Sequence, residues 1–92
     1  MKQLFERVKG KAVIKPNVAR EWGNQSHIYA LIRLAEHANQ DTGILVTNII
    51  GLAQILDLPY STTLYMVKDM AEADIIAMES DYAAFAIRVF NC

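Results

Sequence analysis

Between Leu52 and Ile76 the apolar residues change their spacing in a way that outlines consecutive elements. Leu52, Ala53, Leu56 and Leu58 crowd one side of a short helix and its exit. Thr63, Met66, Val67 and Met70 then recur at the i, i+3, i+4, i+7 spacing of a second helix with one apolar face. Asp57-Leu58-Pro59 separates the two with a polar corner, an apolar plug and a residue suited to the first turn of a helix. Upstream, Ile28, Leu31, Ile32, Ala35 and Ala38 make the stripe of a longer helix, from about Ser26 to Asn39. Arg33, Glu36 and His37 fall off that seam. Asp41-Thr42-Gly43 predicts a turn, Ile44 to Val46 a brief strand, and Thr47 the N-cap of the next helix. Beyond Asp74 the spacing drops to period two. Ile75–Met78 and Phe85–Val89 predict two strands of a hairpin, connected through Glu79-Ser80-Asp81-Tyr82.

The front third is patterned less clearly. Leu4, Phe5 and Val8 mark one face of a short helix that Gly10 stops. Ala12 to Ile14 suggests a strand, ended quickly by Pro16. Asn17 is placed to cap a single turn through Trp22, closed by Gly23. Phe5, Val18 and Trp22 are large enough to need cover from elsewhere.

The order helix, strand, helix, helix, strand, strand, with two short helices packed around Asp57-Leu58-Pro59, resembles the winged helix-turn-helix superfamily. The resemblance is one of pattern, covers roughly residues 26 to 90 and singles out no one family. It implies an α+β fold with three core helices and a small antiparallel sheet from residues near 44–46, 75–79 and 84–89, whose hairpin is the wing. Residues 1–23 then form a basic N-terminal extension and residues 24–92 the winged helix-turn-helix domain. Members of the superfamily are mostly prokaryotic DNA-binding modules.

Composition changes this picture little. Ninety-two residues give room for one domain, and 53% apolar content is ample for one core. No apolar run approaches the ~18 residues of a membrane span, and MKQLFERVKGK lacks the apolar centre of a signal peptide. A soluble, cytoplasmic protein with no membrane partner is expected. The one cysteine, Cys92, cannot form an internal disulfide, which fits a reducing compartment.

Charge changes it more. Residues 1–20 hold six Lys and Arg against Glu6 alone, a balance of +5, whereas residues 21–92 hold three against nine acids, a balance of −6. Such an arm either attracts a polyanion or merely solvates a short amphipathic helix. If Thr63, Met66, Val67 and Met70 face inward, helix 60–73 turns Tyr60, Ser61, Thr62, Tyr65, Lys68 and Asp69 outward. The resemblance puts DNA-reading residues at such positions. Hydroxyls and tyrosines can bond phosphates or base edges, and Lys68 supplies a cation. Tyr60, Ser61, Thr62, Tyr65 and Lys68 are therefore the expected groove contacts, and Lys9, Lys11 and Lys15 the expected backbone contacts. The implied function is a small transcriptional regulator binding double-stranded DNA as a homodimer, through the N-terminal segment and the first long helix.

Two features favour other readings. The reading helix has a single lysine beside Asp69, and the wing offers Glu79 and Asp81 near its tip. With exposed Tyr60, Leu64 and Tyr65, such a body also suits a protein–protein interaction module. A plasmid or phage replication or partition factor lies between the two. Catalysis has little support. The glycines at 10, 23, 43 and 51 are scattered, so no phosphate-binding loop is present. His27 and His37 lie about three turns, ~15 Å, apart on one helix and cannot share a metal. Both are expected at the surface or at a helix end. The pairs Glu72/Asp74 and Glu79/Asp81 fall where a solvated helix end and a hairpin tip are expected. No cofactor, metal or enzymatic activity is expected.

Overall fold

The computed structural model describes residues 4–15, 25–81 and 84–90. In chain order the elements are β1 (Phe5–Val8), β2 (Lys11–Ile14), α1 (Gln25–His37), β3 (Ile44–Asn48), α2 (Ile49–Leu56), α3 (Tyr60–Glu72), β4 (Ala77–Asp81) and β5 (Ala84–Arg88). The described residues are thus α+β, with three helices, a two-stranded sheet and a three-stranded antiparallel sheet.

The first strand stands where the apolar spacing predicted a helix. β1 and β2 form a hairpin in which Val8 faces Lys11, leaving Lys9 and Gly10 as a two-residue loop. Both loop residues have positive φ, 54° and 81°, and a left-handed pair matches the twist of the strands that it joins. Gly10 therefore turns a hairpin rather than ending a helix. Three apolar residues at 4, 5 and 8 were too few to fix a period, and the long-range packing decides. Leu4 and Phe5 are both buried, and the Phe5 ring lies 5.5 Å from that of Phe90. The turn expected at Asn17–Gly23 lies outside the described residues.

Helix α1 keeps nearly its expected span, but its buried seam is rotated. His27, Ala30, Leu31, Leu34, Ala35 and Ala38 are buried, while Ile28 is half-buried and Ile32 is 37% exposed. The seam is shared among α2, β2 and β3, all of which touch α1, so no single stripe centred on Ile28 and Ile32 serves them. Arg33, off the seam, donates from Nε to the carbonyl of Ile55 at 3.1 Å, near the end of α2.

Strand β3 runs directly into α2. Thr47 stays in the strand opposite Phe85, so the N-cap falls one residue later than expected. Asn48 Oδ1 accepts from Gly51 N at 2.8 Å. The turn before β3 depends on Gly43, whose φ is 72° and whose carbonyl accepts from Val89 N at 2.8 Å.

The three-stranded sheet has the order β3-β5-β4. Ile75 and Ile76, expected in the strand, precede it and are buried in the core. The strand begins at Ala77 because Ala77 is the first residue paired with β5, opposite Arg88. Glu79 consequently pairs with Ala86 in mid-strand and Asp81 with Ala84, so neither lies in a connecting loop as expected. The core joins Leu31, Leu34, Leu52, Val67, Met70, Ile87 and Phe90 in one cluster, which includes Leu4 and Phe5 of the hairpin. Among the described residues no helix is long and apolar enough to cross a membrane.

Candidate nucleic-acid interface

The turn that aims α3 is built by three residues. Asp57 adopts a left-handed conformation, φ 55°, and its N–H caps the Ala53 carbonyl, which Leu58 N also reaches at 3.1 Å. A short polar side chain tolerates that conformation better than an apolar one. Pro59 then starts α3, accepting from Thr63 N at 2.9 Å, and offers no side-chain cap. Thr63, Val67 and Met70 are fully buried and Met66 partly, which is the seam that the spacing anticipated. Thr63 is the polar member of that seam, and its hydroxyl reaches the Leu58 carbonyl at 3.5 Å.

With that seam inward, Tyr60, Ser61, Thr62, Tyr65 and Lys68 are all exposed, Tyr65 at 74%. From Tyr60 to Lys68 the helix rises about 12 Å, comparable to the width of a major groove. Asp69, expected among the outward set, leans onto α1 instead. Its Oδ2 lies 3.2 Å from Nε2 of His27. The Asp69 side chain stays 46% exposed, so it reaches α1 while still meeting solvent. Leu64, expected to be exposed, is only half-buried.

His27 lies in the first turn of α1, at a helix end as expected, but it is turned inward rather than to the surface. It is buried to 9% exposure, while His37 is exposed, with Nδ1 3.0 Å from the Arg33 carbonyl. A signal was available, because His27 stands three and four residues before the buried Ala30 and Leu31.

Lys9 and Lys11 are exposed and Lys15 is half-buried, and all three belong to the hairpin. Cross-strand alternation puts Lys11 and Lys15 on the outward face with Val8 and Val13, which are 45% and 39% exposed. The inward face carries Phe5, Arg7, Ala12 and Ile14. Arg7 stacks over the Phe90 ring at 5.6 Å and hydrogen-bonds to the carbonyls of Gly10 and Gln40. Beside the hairpin, a groove is lined from α1 by Ile32, Ala35 and Glu36. A second groove, beside the turn before α3, is lined from α1 by Ser26, Tyr29 and Ala30. The two groups of expected contacts are each gathered, but toward opposite halves of α1, about 10 Å apart along its axis.

The five α3 side chains can donate and accept hydrogen bonds, stack, and contribute one positive charge. No family model, curated protein or solved structure matches this chain.

Proposed function

We propose that the chain binds duplex DNA as a winged helix-turn-helix module and regulates transcription, with α3 entering the major groove. The observation that carries this reading is the exposed row Tyr60, Ser61, Thr62, Tyr65 and Lys68 on a helix whose opposite face is locked in the core. The element order from α1 to β5 and the sheet order β3-β5-β4 support it, because a short helix and a tight turn precede α3 and a strand hairpin follows it, the order that such a module requires. Residues early in α3 contact base edges. Lys68 contacts a phosphate. Lys9, Lys11 and Lys15 add long-range attraction from the hairpin and meet phosphates beyond the footprint of α3.

Fluorescence anisotropy with a random duplex, titrated across salt, tests the reading. Binding should weaken steeply as salt rises. Lys68→Ala should lower affinity for every sequence and flatten the salt slope by about one unit. Thr62 or Tyr65 substitutions should change which sequences are preferred, at about 1–3 kcal/mol for each lost base contact. A second reading, a protein-interaction module, is favoured by Tyr60 and Tyr65, 57% and 74% exposed around a single lysine. It replaces the first if the folded protein ignores duplex DNA at low salt and Tyr60 and Tyr65 variants lose a protein partner.

A further inference from the structure

Among the described residues β2 pairs only with β1, and β4 only with β5, so each offers a free edge. The alternation of antiparallel bonding fixes which main-chain groups point there. Lys15 N donates to Leu4 O at 2.8 Å, which makes Glu6–Val13 and Val8–Lys11 the bonded pairs of the hairpin. Ala12 and Ile14 therefore aim their N–H and C=O groups away from β1. In the larger sheet, Val89 N bonds to Gly43 O, so Ala84, Ala86 and Arg88 turn their groups toward β4. Met78 and Ser80 are left facing the free edge of β4. A groove of about 650 Å³ runs beside β2, with Phe5, Ile14, Ile32 and Ala35 in its wall and Lys11 and Glu36 at its rim.

We propose that β2 of one copy pairs antiparallel with β4 of the next, in the register Lys11 to Glu79, Ala12 to Met78 and Val13 to Ala77. This register puts the outward-aimed groups of Ala12 opposite those of Met78. It also sets Lys11 against Glu79 as a close, non-bonded pair on one face, where opposite charges stabilise. Lys11, Glu79 and Ala77 are exposed, and Val13 is 39% exposed. Ala12, Ile14 and Met78 are partly buried on the inner side of their sheets, so both cores fall beneath the joined sheet. Charge selects the unlike edges. Along the strands themselves, two β2 edges would bring only lysines together, and two β4 edges only carboxylates. Free edges with one sign of charge resist self-pairing, whereas these two complement each other.

The contact is heterologous, leaving one unused edge of each kind on a joined pair, so it extends into a row or closes as a ring. It differs in this from a two-fold dimer, and it is independent of DNA binding. Sedimentation velocity on the full chain without DNA tests it, using K11E, E79K, the K11E/E79K double variant and an equimolar mixture of the two single variants. Circular dichroism first establishes that each is folded. The parent should associate with concentration, less so as salt rises. Each single variant should associate about five- to tenfold more weakly, and the double variant and the mixture should recover the parent's behaviour. Amide exchange at Ala12 and Met78, the bonded pair of this register, should slow as concentration increases. A parent that stays monomeric at hundreds of micromolar in low salt overturns the proposal, as do single variants that associate like the parent or a double variant that fails to recover.

Discussion

Gly43 and Gly10 both have positive φ, yet they should respond differently to the same methyl group. A Cβ at Gly43 would overlap the Phe90 carbonyl, whereas nothing lies within contact range at Gly10. Gly10→Ala should therefore cost only the left-handed penalty, about 1–2 kcal/mol. Gly43→Ala should cost more, because the β3 turn and the Phe90 backbone must also separate. Urea denaturation of the two variants gives the ranking, and equal losses would contradict it. Leu52 is fully buried, and Leu52→Ala should lose about 2–5 kcal/mol by the same measurement. Asn48→Ala removes the cap on Gly51 N and should lose about 1 kcal/mol. At this scale the outward row of α3 was legible, since a helix with one apolar seam has only one face left. The inward lean of Asp69 was not, because it depends on His27, 42 positions away in sequence.

The elements that the sequence predicted well are those whose period spans several turns. α3 carries its seam through Thr63, Met66, Val67 and Met70, and its outline follows. β5 alternates a buried Ile87 with an exposed Arg88, and it too was readable. The hairpin was not, since four-residue strands carry too few apolar positions to separate period two from period 3.6. Its place in the core makes a direct prediction. Phe5 is 4% exposed against Phe90, so Phe5→Ala should cost about 3–5 kcal/mol in thermal or denaturant unfolding. A variant that melted like the parent would mean that the hairpin is peripheral. The rotated seam of α1 has a similar origin. Amphipathic spacing reports one covering surface, whereas α1 is covered by α2, β2 and β3 together.

For the whole molecule, the proposed activity divides the charge between two ends of α1. In that proposal the α3 row reads the groove, and the hairpin lysines act at a distance or in contact with another copy. Neutralising Lys9, Lys11 and Lys15 together should thus weaken DNA binding without altering sequence preference, as competition between duplexes would show. A changed preference would place the hairpin in the groove instead. The central claim is that α3 is the surface that meets the duplex. The most direct measurement is a titration of the isotope-labelled protein with a short random duplex at low salt, following each backbone amide by NMR. The account predicts that the largest shifts cluster from Tyr60 to Lys68 and fade as salt is added. Shifts confined to the hairpin or the sheet, or none at all, would contradict it.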